Sequence, residues 1–120
     1  MQKKILLADD EKNFADVLKS ELEEVGYSVT LVRDGVEAVM KALDDKFDIA
    51  LLDIMMPNLD GINTVKILKK IDSRMPIVTF SGVAGSGDIA ASIRVGAMRC
   101  LTKPFSVEQL LSEIKKVLHT

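Results

Sequence analysis

Five short apolar runs alternate with longer amphipathic runs along the 120 residues of the chain. The apolar runs, read as strands, are Lys4–Ala8, Ser28–Val32, Asp48–Leu52, Ile77–Phe80 and Met98–Thr102. Three of them are almost continuously hydrophobic, which is typical of strands buried on both faces of a parallel sheet. Strict alternation also implies right-handed crossovers. The pattern therefore predicts a doubly wound α/β fold with helices on both sides of a parallel sheet.

The amphipathic runs between the strands show helical spacing and recognisable ends. The first should end at Gly26, the second should start near Asp34, and the last opens on the capping-box pattern Ser106–Gln109. The fourth, Ile89–Val95, is short and rich in alanine, and is the least well specified. We expect the helices to bury the following residues: Phe14, Val17, Leu18, Leu22, Val25, Val36, Val39, Leu43, Val65, Leu68, Ile71, Leu110, Leu111, Ile114, Val117 and Leu118.

Composition excludes several classes of protein. The 16 basic and 18 acidic side chains give a net charge of −2, so no basic field favours direct binding to nucleic acid. Cys100 is the only cysteine, which rules out a disulfide scaffold and favours a reducing cytoplasm. No stretch approaches the ~20 apolar residues of a membrane span. No linker or repeat is visible, so we expect residues 1–120 to form one soluble cytoplasmic domain.

Polar side chains follow four of the predicted strands where these end. Asp9 and Asp10 follow the first strand, Asp53 the third, Ser81 the fourth and Lys103 the fifth. Parallel strands end at one edge of a sheet, so three carboxylates should meet there, which is costly unless a cation lies among them. This set suits phosphoryl transfer to a carboxylate: Asp53 as nucleophile, Asp10 and Asp9 holding Mg²⁺, Lys103 supplying positive charge and Ser81 donating to a phosphoryl oxygen.

The chain resembles the response-regulator receiver domain of two-component signalling. The likeness rests on Asp9-Asp10, the segment LLDIMMPNLDG around Asp53, Ser81, and Lys103-Pro104-Phe105, in that order along nearly the whole chain. The resemblance implies a flavodoxin-like three-layer sandwich with strand order 2-1-3-4-5. It also implies Mg²⁺ bound by Asp10, Asp53 and the Met55 carbonyl, with Asp9 acting mainly through a metal-bound water, and a cis peptide before Pro104.

Such a domain would take its phosphoryl group from a histidine kinase or a histidine phosphotransfer protein. It would catalyse only its own phosphorylation and slow hydrolysis, and so would not be an enzyme in the usual sense. Its surface around helix 4, strand 5 and helix 5 would then shift to control a downstream protein partner or an output domain.

Two features depart from the family pattern. Cys100 stands where receivers usually carry Tyr or Phe, and it is too small to report switching by the same rotamer change. The segment Gly82–Gly87 is rich in glycine instead of polar residues. We therefore expect phosphorylation to be relayed from Ser81 mainly through this segment, including Gly82 and Val83. We also expect the apolar Met55 and Val83 to restrict the water that hydrolyses the acyl phosphate.

Each motif also has a simpler interpretation. In isolation, Asp9-Asp10 is more often a helix cap or turn, Ser81 a turn residue, and Lys103 a solvated lysine. Cys100 alone is a small buried apolar residue, and the terminal His119 lacks a partner nearby in sequence. Two other functions stay open: a degenerate receiver used as a constitutive docking module, and a Mg²⁺-dependent phosphohydrolase that forms an aspartyl phosphate.

Overall fold

The computed structural model describes residues 2–82 and 87–118. Within these ranges the chain forms five strands and five helices in strict alternation. The strands are β1 (Lys4–Ala8), β2 (Ser28–Val32), β3 (Ile49–Asp53), β4 (Ile77–Ser81) and β5 (Arg99–Thr102). The helices are α1 (Lys12–Glu24), α2 (Gly35–Asp44), α3 (Gly61–Ile71), α4 (Asp88–Arg94) and α5 (Val107–Leu118). None of these helices is long and apolar enough to cross a membrane.

The five strands form one parallel sheet in the order β2-β1-β3-β4-β5. One hydrophobic cluster packs α1 and α5 against one face of the sheet, and a second packs α2 and α3 against the other. Successive strand residues alternate between the two clusters: Ile5 and Leu7 face α1 and α5, and Leu6 and Ala8 face the opposite layer. The predicted three-layer α/β sandwich and its strand order are confirmed.

The three inner strands are buried on both faces, as their continuous hydrophobicity predicted. All residues of β3 and β4 are buried, and in β1 only the first residue reaches solvent. β4 extends one residue farther than predicted, to Ser81, and β3 is shifted by one residue, since it begins at Ile49 instead of Asp48 and ends at Asp53. The backbone that carries these two polar side chains, Asp53 and Ser81, is therefore buried and held by the hydrogen bonds of the sheet.

The predicted helix faces were wrong at several positions in α1 and α2. Val17, Val25, Val36 and Leu43 are largely exposed. In α1 the buried stripe is Ala15, Leu18 and Leu22, and in α2 the fully buried residues are the small Gly35 and Ala38. A Cβ on Gly35 would clash with the Leu59 carbonyl oxygen, so α2 approaches its neighbours through small residues, and Val36 and Leu43 lie at the surface. At the start of β5, Met98 is likewise exposed and lies outside the strand.

Several helix ends were predicted correctly because they depend on local chemistry. Gly26 follows α1 with φ of 112°, a left-handed value that glycine adopts without a Cβ clash. At α5, the Ser106 N–H donates to Gln109 Oε1 at 2.8 Å, and the Gln109 N–H donates to Ser106 Oγ at 3.1 Å. This reciprocal pair is the predicted capping box.

Gly61 holds the loop after β3 against the strand itself. Its N–H donates to the Ile54 carbonyl at 2.8 Å. A Cβ at this position would lie 2.5 Å from the Asp53 carbonyl oxygen and 2.5 Å from the Ile54 Cα. Both atoms belong to the backbone, which cannot move aside as a flexible side chain could. The close approach of α3 to the end of β3 thus requires glycine.

We predict that Gly61→Ala lowers the free energy of unfolding by about 1–3 kcal/mol, the usual cost of overpacking. Gly82→Ala is the matched control, because a Cβ there meets nothing within 4 Å. Urea denaturation of both variants and the wild type measures the difference. Equal stabilities for the two variants would contradict the close-approach argument.

Candidate functional site

The carboxyl ends of four strands bring the predicted polar side chains to one edge of the sheet. Asp9 directly follows β1, Asp53 and Ser81 are the last residues of β3 and β4, and Lys103 follows β5. Asp53 is in register with Phe80 and Ser81 with Thr102, so adjacent strands end at nearly the same level. This is the edge where open α/β sheets usually bind ligands.

Three carboxylates converge at this edge. Asp9, Asp10 and Asp53 each offer one oxygen, and these oxygens lie within 4.8 Å of one another. Asp9 is 0% exposed and Asp53 is 4% exposed, whereas Asp10 reaches solvent. Two buried like charges at this separation oppose each other's ionisation, so the cluster needs positive charge to stay fully ionised.

Lys103, which follows β5, supplies positive charge from the far side of β4. Its Nζ lies 3.1 Å from Asp9 Oδ2, 3.0 Å from Asp53 Oδ2 and 2.9 Å from Glu11 Oε1. The lysine side chain is only 14% exposed. Burial alone would lower the pKa of its amine, but the hydrogen bonds to Glu11 and Asp53 and the nearby carboxylate charges raise that pKa above its ordinary value. Lys103 is therefore fully protonated at neutral pH and is no solvated surface lysine.

An aromatic ring, that of Phe14, lies against the Lys103 amine. Lys103 Nζ lies 4.3 Å from the centroid of the Phe14 ring, within the range of a cation–π contact. The rings of Phe14, Phe80 and Phe105 contact one another with centroids 4.8–6.5 Å apart. The backbone is positioned as well: the Lys103 N–H donates to the Ser81 carbonyl at 2.8 Å, and the Lys103–Pro104 peptide bond is cis.

Asp9 remains under-compensated despite this lysine. Burial raises the pKa of the Asp9 carboxyl to about 6. The Glu11 N–H, which donates to Asp9 Oδ1 at 2.9 Å, opposes that rise, whereas the charge of Asp53 adds to it and Lys103 opposes it. A further cation among the three carboxylates would relieve this penalty. The oxygen-rich donor set fits Mg²⁺, a hard ion that prefers carboxylate and carbonyl oxygens.

The loop after β3 contacts both the site and the neighbouring helix α2. The Met55 N–H donates to Asp53 Oδ1 at 3.1 Å, while the Met55 side chain is 71% exposed. Farther along, Asn58 adopts a left-handed φ of 69° and its side-chain amide donates to Asp34 Oδ2 at 2.7 Å. Asp34 caps α2 by accepting from the Glu37 N–H. Hydrogen bonds at Met55 and at Asn58 thus hold the loop whose Met55 carbonyl is expected to bind a metal.

The predicted relay residues lie partly outside the described ranges. Ser81 is buried, and its hydroxyl donates to Asp88 Oδ2 at 2.8 Å. Gly82 is exposed, and Val83 lies outside the described residues, as does His119. Cys100 lies opposite Thr79 in the β4–β5 register and is half-buried, where a buried residue was predicted. As a member of the edge strand β5, it is covered by the sheet on one side only.

Three side chains that contact the site were not predicted from the sequence. Glu11 and Phe14 contact the Lys103 amine, and Asp88 accepts from the Ser81 hydroxyl. Glu11 had a signal, because it directly follows the Asp9-Asp10 pair at the same strand end. Phe14 was assigned only to the core. Asp88 had no usable signal, because its contact depends on where α4 begins.

Together, the fold and the site define an α/β protein with an acidic pocket and a lysine at the carboxyl edge of its sheet. A model of the response regulator receiver domain matches residues 5–115. The chain belongs to this family of two-component signalling proteins. Its members include response regulators, which work with histidine kinases.

Individual relatives agree with this assignment. The alkaline phosphatase synthesis transcriptional regulatory protein PhoP of Bacillus subtilis is 37% identical over 118 residues, covering 98% of this chain and 49% of the relative. A receiver domain from Methanospirillum hungatei superposes with a TM-score of 0.95 at 29% identity, covering 99% of this chain and 95% of that one. The chain spans about half the length of the curated relatives it matches.

A third similar structure bears on the acidic pocket. It is the receiver domain of the sensor histidine kinase PA1611 from Pseudomonas aeruginosa, with a TM-score of 0.92 and 30% identity over the full length of both chains. That crystal structure has a magnesium ion coordinated in its active-site cleft.

We predict that Asp9→Asn raises the free energy of unfolding at pH 7 in EDTA by on the order of 1–2 kcal/mol, because it removes a buried charge. The asparagine oxygen still accepts from the Glu11 N–H, and Lys103 loses one acceptor but keeps Asp53 and Glu11. The gain should shrink as the pH falls from 7 to 5. The folded-state pKa of about 6 lies above the ordinary value of 3.8, so the folded wild type takes up a proton in this window and is stabilised by it.

Urea denaturation at the two pH values measures this effect, with Asp16→Asn, an exposed change on α1, as the control. If Asp9→Asn destabilised the protein equally at both pH values, the buried charge would not be the source of the penalty.

Proposed function

We propose that this chain is a phosphorylation-dependent signalling switch that accepts a phosphoryl group on Asp53 in a Mg²⁺-dependent reaction. The donor is the phosphohistidine of a histidine kinase or of a histidine phosphotransfer protein. The observation that carries the proposal is the bond between Lys103 and Asp53 at 3.0 Å within a buried acidic cluster. Burying such a cluster lowers the stability of the fold, which is expected where a site binds a cation together with an anionic group.

Mg²⁺ would be held by Asp10 and Asp53 with the Met55 carbonyl, and Asp9 would support it from the buried side. The oxygens of the three aspartates already lie within 4.8 Å of one another. When bound, the ion neutralises charge on the phosphoryl oxygens during in-line transfer. The magnesium in the similar Pseudomonas receiver supports this assignment.

The side chains of this protein supply the remaining parts of the reaction. A carboxylate oxygen of Asp53 attacks the phosphorus, the phosphorus–nitrogen bond to the histidine of the donor breaks, and its electron pair leaves on the imidazole ring. The Lys103 amine, which donates to Asp53 Oδ2 before the reaction, then donates to a negatively charged phosphoryl oxygen. Ser81, at the adjacent strand end, donates to another phosphoryl oxygen.

The output is a shift in the populations of two states of the surface formed by α4, β5 and α5. The partner that reads this surface is a separate protein or an output domain joined to the receiver. We place the reaction in the cytoplasm. In this reading residues 1–120 form one receiver unit, which catalyses only its own phosphorylation and hydrolysis and does not bind nucleic acid itself.

We predict that incubation with acetyl phosphate and Mg²⁺ adds one phosphoryl group to the wild type and none to Asp53→Asn, measured by intact mass. Asp60→Asn is the matched control from the same loop. Asp60 caps α3, and asparagine caps helices equally well, so this variant should be phosphorylated normally.

Absence of an Asp53-dependent mass gain, with acetyl phosphate and with a phosphohistidine donor, would contradict the proposed function and favour a docking module. Steady-state release of phosphate from external esters would instead favour the phosphohydrolase.

We predict that Met55→Gln speeds hydrolysis of the acyl phosphate by about 2- to 10-fold, the worth of one hydrogen bond to the attacking water. The apolar Met55 side chain is exposed two residues after the phosphoacceptor Asp53 and offers water no hydrogen-bond partner. Met40→Gln, at an exposed methionine on α2, is the control. Loss of phosphoryl mass over time gives both rates, and equal rates would remove Met55 from the account.

A further inference from the structure

Two hydroxyl groups of β4 attach α4 to the sheet. The Ser81 hydroxyl donates to Asp88 Oδ2 at 2.8 Å, and the Thr79 hydroxyl donates to Ser92 Oγ at 2.9 Å. Thr79 and Ser81 lie two residues apart on one face of the strand, and Asp88 and Ser92 lie four residues apart on one face of the helix. The four side chains therefore form two matched contacts along one interface.

The two contacts differ in chemistry. Thr79 and Ser92 are fully buried, and their bond joins two neutral hydroxyls. The Ser81 bond ends on a carboxylate that is only half-buried in the first turn of α4. A hydrogen bond to a charged acceptor is roughly twice as strong as one between neutral groups. The Ser81–Asp88 bond is thus the stronger contact, and its donor is also the hydroxyl at the phosphoacceptor site.

A serine hydroxyl carries one proton, so it cannot donate fully to a carboxylate and to a phosphoryl oxygen at the same time. We propose that Asp88 is a positioning residue that holds the Ser81 hydroxyl in the unphosphorylated protein and competes for it with the phosphoryl group on Asp53. Phosphorylation then exchanges one acceptor for the other. This inference rests on the proposed function.

The exchange links the chemistry at Asp53 to α4 without an aromatic switch. When Ser81 turns to the phosphoryl group, the first turn of α4 loses its bond to β4, and only the Thr79–Ser92 contact of the pair remains. Cys100, which lies opposite Thr79, plays no part in this step. The Ser81–Asp88 bond therefore contributes both to the cost of phosphorylation and to the docking of α4.

The test compares Asp88→Ala in the wild-type background and in the Ser81→Ala background. With acetyl phosphate and Mg²⁺, Asp88→Ala should speed phosphorylation of Asp53 by about 10-fold when Ser81 is present, since a charge-assisted bond no longer competes. In the Ser81→Ala background the same change should have no effect. Glu108→Ala, which removes an acidic side chain from the first turn of α5, controls for loss of helix-terminal charge.

Amide hydrogen exchange of α4 in the unphosphorylated protein is the second readout. Ser81→Ala and Asp88→Ala should each reduce protection by about 10-fold, and the double variant should lose no more than either single one. In the wild type, phosphorylation should produce the same loss.

The outcomes separate the two proposals. If the wild type is phosphorylated but Asp88→Ala changes the rate equally in both backgrounds, or in neither, the inference about Asp88 is overturned and the proposed function stands. If no variant with an intact Asp53 is phosphorylated, the proposed function fails and the exchange fails with it. In that case additive losses of α4 protection would also reject the Ser81–Asp88 contact in the resting state.

Discussion

The ion pairs between Lys103 and the carboxylates of Asp9 and Asp53 are the interaction on which the site depends. Two buried negative charges meet where β1 and β3 end, and the amine on the far side of β4 reaches both at about 3 Å. Removing the lysine from this network would leave two buried carboxylates uncompensated, which is costly. The strand order makes the network possible, since β1, β3, β4 and β5 end at one edge.

Much of the remaining structure serves to keep these groups in place. Gly61 lets α3 approach the end of β3, Asn58 joins the following loop to the cap of α2, and the Phe14 ring lies against the lysine. A preorganised site of this kind lowers the cost of arranging charge when a phosphoryl group arrives. In contrast, α4 is only seven residues long, and the Ser81 hydroxyl bonds to its first turn, so a change at Ser81 acts directly on this helix.

The fold was largely predictable because the signals for it are local. Continuous apolar runs indicated the inner strands, and Asp34 and Ser106 begin helices through contacts within four residues. The carboxylates and Lys103 could be placed at one edge because each lies at or just after the carboxyl end of a strand. Contacts that depend on the distance between elements could not be predicted in this way. Val36 and Leu43 were assigned to the core, but the small Gly35 and Ala38 face it instead. The Ser81–Asp88 bond depends on where α4 begins.

The most direct test of the central claim is to locate the phosphoryl group after reaction with a phosphohistidine donor and Mg²⁺. Reduction of the phosphorylated protein with borohydride converts an acyl phosphate to an alcohol, and peptide mass spectrometry identifies the modified residue. We expect homoserine at position 53 and unchanged aspartate at positions 9 and 10. Homoserine at either of the latter two positions, or phosphate retained on Ser81, would contradict the central claim.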